Sequence, residues 1–192
     1  MTDDTGCRGF GELIDRVGRA TRAIQFSCGL SPAQWESLRY VAHANRYSRN
    51  PSALANFLGA TKGTISQTLI ALEGKGHMRR VRGAPDRRAV KLELTASGEA
   101  LLARDPLLCL ERAAGSLPAK QRAALTGGLN RLLRELQLRC GSSSFGVCEE
   151  CQLFGAEDAA DEVGGPHRCG LTGEPIREIE SQQICVSFRL DA

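Results

Sequence analysis

The sequence predicts a mainly α-helical protein that carries one small β-hairpin and ends in a small, irregular, cysteine-rich module. Three observations lead there. Apolar residues recur at three- and four-residue steps in six segments between residues 10 and 138. Strict alternation occurs once, in Val90-Lys91-Leu92-Glu93-Leu94, just after a basic stretch and a Gly83-Ala84-Pro85-Asp86 turn. Five of the eight cysteines, Cys140, Cys148, Cys151, Cys169 and Cys185, fall in the last 53 residues. These features divide the chain into a helical domain over 1–140 and a cysteine module over 141–192.

The first helix is predicted over residues 10–26, where Phe10, Leu13, Ile14, Val17, Ala20 and Ile24 form one stripe and Gly29 supplies a stop. Ser31-Pro32-Ala33-Gln34 reads as a capped start, with Ser31 as N-cap and Gln34 completing a capping box, and Trp35, Leu38, Val41 and Ala42 follow as the buried face. Asn50-Pro51 opens a short helix that ends at Gly59, and Thr61 caps the next one, Lys62 to Glu73, with Ile65, Leu69 and Leu72 inward. Strands over 77–82 and 89–94 make the hairpin. Thr95 starts a helix expected to run to Ala114, Leu117-Pro118 breaks it, and the last helix, from Ala119, carries Leu125, Leu129, Leu132, Leu133 and Leu136.

Charge is segregated. Residues 1–140 hold 22 Lys and Arg against 12 Asp and Glu, whereas residues 141–192 hold 3 against 10. The first part suits a polyanion and the second does not. No apolar run approaches the length of a membrane span, and Asp3 and Asp4 stand where a secretory leader would carry Lys or Arg. The expectation is a cytoplasmic protein with no membrane partner, in which cysteines stay reduced and metal binding becomes their leading use.

Two helices joined by a tight Gly59-Ala60 turn and followed at once by a basic hairpin have the layout of a winged helix-turn-helix. Lys62, Thr64, Ser66, Gln67 and Thr68 supply donors and acceptors of a length that reaches base edges in a major groove. From Lys75 to Lys91 there are seven Lys or Arg and one acid, Asp86. Arg79, Arg82, Arg87 and Arg88 of this cluster are the candidates for phosphate contact, which would make binding fall steeply with salt. Each feature alone also fits a solvated surface, and it is their adjacency that points to double-stranded DNA.

The segments Leu54-Ala55-Asn56-Phe57-Leu58-Gly59, Ser66-Gln67-Thr68-Leu69, Leu72-Glu73-Gly74-Lys75-Gly76 and Asp86-Arg87-Arg88-Ala89-Val90-Lys91-Leu92-Glu93-Leu94-Thr95-Ala96-Ser97-Gly98 resemble the MarR (multiple antibiotic resistance regulator) family. The resemblance runs from about residue 10 to about residue 138. It implies a recognition helix over Lys62–Glu73, a wing shaped by Asp86, and entry of Arg87 or Arg88 into the minor groove. It also implies a homodimer built from the first and last helices, and hence a palindromic operator. Members of the family answer to small phenolic or aromatic ligands, so a small-molecule effector is implied as well. Repression is the family's usual habit.

After Cys140 and a Gly-Ser-Ser-Ser linker, the C-terminal module presents Cys148-x2-Cys151, then Cys169, then Cys185. A C-x2-C pair lets two thiolates grip one metal from a tight turn, and two further cysteines complete either a tetrahedral zinc site or a [4Fe–4S] cluster. One pair with two singletons, rather than two pairs, favours the cluster. The aromatics Phe154 and Phe188, three residues after each motif, make the module similar to small four-cysteine modules such as those of benzylsuccinate synthase small subunits. Cys140 reads as an inert thiol, a redox-active fifth thiol or a spare ligand, and His167 as a surface histidine or a substitute ligand. The acidic module is expected to face away from DNA, near the dimer interface, and to act through the helix that leads into it. Three histidines, no P-loop, no G-x-G-x-x-G after a strand and no nucleophile elbow leave no basis for an enzyme.

Overall fold

The computed structural model describes residues 9–26, 28–82, 90–140, 145–155 and 165–189. Helix α1 (Phe10–Ile24) is followed by α2 (Pro32–His43), α3 (Pro51–Leu58) and α4 (Lys62–Gly74), then by the antiparallel strands β1 (Met78–Arg82) and β2 (Val90–Leu94). Local chemistry sets these boundaries. Ser31 and Gln34 form the expected reciprocal capping box on α2, Asn50 caps α3 by accepting from the Ala53 amide at 2.9 Å, and Thr61 caps α4 by accepting from the Thr64 amide at 3.1 Å. Gly59 ends α3 with a φ of 58°, a left-handed conformation in which a side chain would be strained.

Trp35, Leu38, Val41, Leu54, Ile65, Leu69, Leu72, Met78 and Leu92 form one buried core, so α2, α3, α4 and the hairpin share a single hydrophobic interior. The expected long helix after Thr95 is two helices, α5 (Ala96–Leu102) and α6 (Leu108–Gly115). Asp105-Pro106 breaks them: Asp105 accepts two bonds from Arg39 of α2, at 2.5 and 3.0 Å, and one from the Leu107 amide at 2.8 Å in the turn just before α6. Arg39 also donates to Gln25 beyond the end of α1 at 2.9 Å. Gly98 sits against the hairpin so closely that a Cβ there would lie 2.1 Å from the His77 carbonyl oxygen.

Helices α1 and α7 (Ala119–Cys140) have the predicted apolar stripes, but the stripes are uncovered in the single chain. Phe10, Leu13 and Val17 on α1, and Leu125, Leu129, Leu133 and Leu136 on α7, are all 41–55% exposed. No helix among the described residues is long and apolar enough to cross a membrane.

Among the described residues, the C-terminal module has five short strands and two single helical turns. Strand β3 (Gly146–Val147) pairs antiparallel with β7 (Ile184–Cys185), and β4 (Phe154–Gly155), β5 (His167–Cys169) and β6 (Pro175–Ile176) form a second small sheet. A 3-10 turn spans Cys148–Glu150 and α8 spans Glu178–Ser181. Among the described residues, its buried cluster is Cys148, Ile176, Cys185 and Phe188, with Cys151, Phe154 and Cys169 packed against it. So small an apolar interior stabilises little by itself.

The module docks on the Ala44–Arg49 loop between α2 and α3. The Asn45 amide donates to the Ile184 carbonyl at 3.0 Å, and the Val186 amide donates to the buried Ser48 hydroxyl at 2.9 Å. Arg46 donates to the Pro175 carbonyl at 2.6 Å and pairs at 3.4 Å with Glu180, itself 2% exposed. Burial alone would raise the Glu180 carboxyl, but hydrogen bonds from Arg177 and the nearby Arg46 charge hold it below the usual range. The acidic module is therefore tied to the helical domain at its loop, by Arg46 and by backbone bonds, and not only through the helix that leads into it, as its sequence position suggests.

Candidate nucleic-acid interface and cysteine pocket

On α4 the buried residues Ile65, Leu69 and Leu72 fix one face against the core, which turns Lys62, Thr64 and Gln67 outward and leaves Ser66 and Thr68 half-buried beside them. The Thr64 and Thr61 hydroxyls are 2.9 Å apart, and the Thr68 hydroxyl donates to the Thr64 carbonyl at 3.0 Å. Both threonines are thus held in fixed rotamers with acceptor capacity to spare. All five residues read as base contacts lie on or beside this exposed face. Ile70, 49% exposed, shares the helix surface with them and was not singled out by sequence.

The hairpin divides its cations. Arg79 is paired across the strands with Glu93 at 2.7 Å, Arg80 is bound to Glu73 on α4, and Lys75 donates to the Gly29 carbonyl and, at 3.1 Å, to Gln34. These three cations brace the domain as well as charging it. Arg82 and Lys91 are exposed at the end of the hairpin nearest its turn. Asp86, Arg87 and Arg88 lie outside the described residues. The Arg80–Glu73 pair, which locks the hairpin to α4, is a feature that charge counting missed. The signal was present only as an acid at the end of one helix and a base seven residues later.

Strand register brings the four module cysteines together. Pairing of β3 with β7 sets Cys185 opposite Gly146, two residues before Cys148, and pairing of β4 with β5 sets Cys169 opposite Phe154, three residues after Cys151. All four thiols line one cavity of about 20 Å³, together with Leu153, Phe154, Ile176 and Ser187. Phe188 packs so tightly over Gly146 that any Cβ there would lie 2.6 Å from its ring. Among the described residues, no three His, Cys, Asp or Glu side chains already stand in the coordination geometry of a metal ion. His167 is not on the cavity: its ring tilts against Phe154 at 4.6 Å and its Nε2 lies 2.9 Å from Glu178. The Cys140 side chain lies outside what the structure describes.

Donors converge on these sulfurs. Asn45 Nδ2 donates to Cys148 Sγ at 3.3 Å, and the Arg189 amide donates to Cys151 Sγ at 3.4 Å. A hydrogen bond from Cys148 holds the Cys185 thiol below its ordinary value, against the cost of burial, with help from the Ser187 amide and from Asn45 and Ser48. The same bond and burial push Cys148 up. Asn45 and Ser48 lie in an ordinary polar loop by sequence, 103 and 137 residues from the thiols they serve, and only the docked structure identifies them.

Residues 29–89 match the model of the MarR family. The HTH-type transcriptional regulator TtmR of Methylorubrum extorquens (strain PA1) is 36% identical over 86 residues, which cover 43% of this chain and 43% of that protein, so the chain matches less than half the length of this curated relative. Among solved structures, the transcriptional regulator PA3341 aligns with a TM-score of 0.57 at 29% identity over 68% of this chain and 99% of its own. Streptococcus pneumoniae FabT in complex with DNA aligns with a TM-score of 0.55 at 25% identity over 68% of this chain and 96% of its own. The S. aureus MepR–DNA complex, at 21% identity and a TM-score of 0.52 over 68% and 97% of the two chains, bears on the fold alone.

Proposed function

We propose that this chain, whose winged-helix portion is of the DNA-binding MarR type, is a transcription regulator that binds a palindromic operator as a two-fold homodimer, usually to repress. In this reading a [4Fe–4S] cluster or a metal ion in the C-terminal module sets its affinity. The carrying observation is the α4 face of Lys62, Thr64 and Gln67, exposed, anchored from behind by Ile65, Leu69 and Leu72, and braced to a basic hairpin through Glu73 and Arg80. A helix of that kind fits a major groove, and the hairpin cations fit the adjacent phosphates. The uncovered stripes of α1 and α7 support the dimer, because an apolar surface of that extent is costly in water until a second copy buries it. Two-fold pairing would set the recognition helices about one DNA turn, ~34 Å, apart.

Binding of the full chain to its own promoter region, followed by fluorescence anisotropy across a salt series, tests this. Affinity should fall steeply with salt. Replacing Arg79, Arg82, Arg87 and Arg88 together with Ala should flatten that slope by about 0.9 for each phosphate the wing no longer neutralises. Gln67→Ala should instead relax base preference by ~1–3 kcal/mol at one position of each half-site. Undiminished duplex binding by the neutralised wing at every ionic strength would refute the reading.

A second reading, control by a small aromatic ligand with zinc serving structure only, is favoured by one observation. A cavity of about 830 Å³ lies between Phe57 and Leu58 of α3, Leu133 of α7, and Phe145 and Val147 of the module, and its lining is mainly apolar. Its size suits a drug-sized molecule. Release of operator by phenolic compounds in metal-replete protein, with no response to metal removal, would select it.

A further inference from the structure

We propose that Cys148, Cys151, Cys169 and Cys185 form a tetrathiolate site for a single thiophilic divalent ion of the zinc class, and that its loading is transmitted to the DNA-binding hairpin through Asn45. The inference rests on the DNA-binding reading only for its second half.

The case for one ion, and against the cluster favoured by cysteine spacing, is one of position. Zinc–thiolate bonds of ~2.3 Å place neighbouring sulfurs ~3.8 Å apart, and Cys148 and Cys185 are already hydrogen-bonding neighbours. Thiolates at the corners of a cluster stand further apart than that. The turns fit as well. Cys148–Cys151 is a tight turn closed by the Cys151 amide on the Cys148 carbonyl at 3.0 Å, and the Phe154 amide closes the next turn on the Cys151 carbonyl at 2.9 Å. The Gly173 amide makes a comparable closure on the Cys169 carbonyl at 2.8 Å. N–H donors aimed at two sulfurs supply the outer shell that steadies metal thiolates. With so few apolar residues inside the module, the ion would be its true core.

Transmission follows from the contacts around Asn45. Its Nδ2 donates to Cys148 Sγ, and its Oδ1 accepts from the amides of Tyr47 and Ser48 at 3.1 and 3.0 Å. The loop it shapes ends at Arg49, whose carbonyl accepts from the Leu92 amide of β2 at 2.8 Å, next to Asn50, the cap of α3. One side chain thus joins a metal-ligand sulfur to the segment from which both the hairpin and the helix-turn-helix are hung. Drawing Cys148 onto an ion pulls on that segment, and the DNA affinities of the loaded and unloaded forms differ as a result.

The full-length chain is purified under reductant without oxygen, stripped with chelator, and titrated with zinc and separately with cobalt. The expected result is one ion per chain, no acid-labile sulfide, and for cobalt the intense d–d and sulfur-to-metal bands of a tetrahedral thiolate centre. Asn45→Ala retains all four thiols, so it should keep the one-to-one stoichiometry and bind ~10–100-fold more weakly. In wild type, loading should change operator affinity on the order of tenfold, and Asn45→Ala should abolish that difference. Sulfide in amounts equal to iron, a Cys148–Cys185 disulfide under reductant, or the absence of stoichiometric metal overturns the site. Stoichiometric metal with equal operator affinity in both forms overturns the transmission. Metal binding without any operator binding leaves the site standing and removes the DNA-binding reading instead.

Discussion

The carboxylate of Glu73, in the last turn of α4, accepts hydrogen bonds from both the backbone amide and the guanidinium Nε of Arg80 on β1, each at 2.9 Å. A single acid thereby fixes the hairpin's angle to the helix that would enter the groove. The Arg80 guanidinium is the main cause that holds the Glu73 carboxyl below its usual range. Because the folded-state value is the lower one, the stabilisation is complete above the unfolded value of ~4.3 and is lost as pH falls through the folded one. Both side chains are partly exposed, so the pair contributes ~0.2–1 kcal/mol. Glu73→Gln should leave the melting temperature nearly unchanged but weaken operator binding several-fold. Anisotropy and thermal melts on the same samples check this, and an equal fall in both would mean the pair serves stability alone.

Arg39 and Asp105 form a better shielded pair, with side chains 18% and 10% exposed. Asp105→Ala takes the carboxylate from Arg39 and leaves it Gln25 alone, removes the acceptor of the Leu107 amide, and unties α2 from the α5–α6 corner. Breaking such a pair costs ~3 kcal/mol, which urea denaturation would register as a lower midpoint. Replacing Arg39 and Asp105 together with apolar residues should recover part of the loss.

At Gly98 the backbone of α5 touches the hairpin, and no rotation of a side chain can relieve a Cβ placed 2.1 Å from the His77 carbonyl. Gly98→Ala should destabilise by ~1–3 kcal/mol through overpacking, despite alanine's better helix propensity. A stability equal to or above wild type would show that the hairpin can move away from α5 without cost.

The α7 stripe gives a direct test of assembly. Leu129→Arg places a charge in the middle of a surface that the isolated chain leaves exposed. Analytical ultracentrifugation should show monomers, and operator affinity should fall at least tenfold, because one recognition helix then binds without its twin. A dimer of unchanged affinity would place the interface elsewhere.

Most helices were legible before any coordinates because their signals are local. Ser31, Asn50 and Thr61 cap their own helices, Gly59 turns its own chain, and the apolar stripes of α2 and α4 follow a period that neighbours reinforce. The break at Asp105-Pro106 has a local signal in its proline, which the apolar run on either side of it hides, and only the tie from Arg39, 66 residues earlier, is a matter of tertiary structure. The polar face of α4 could be read from which residues anchor it. The use of Lys75, Arg79 and Arg80 as braces could not, since a cation's partner is a matter of distance and not of composition.

What the sequence by itself determined is a set of amphipathic helices, a basic hairpin and a four-cysteine module, because periodicity, capping and turn chemistry act within a few residues. Only the tertiary structure decided that the four thiols share one small cavity and that the module sits on Asn45, Arg46 and Ser48. The docking contacts join residues more than a hundred positions apart, and the partners in both places are selected by strand register and buried hydrogen bonding, which no local pattern encodes.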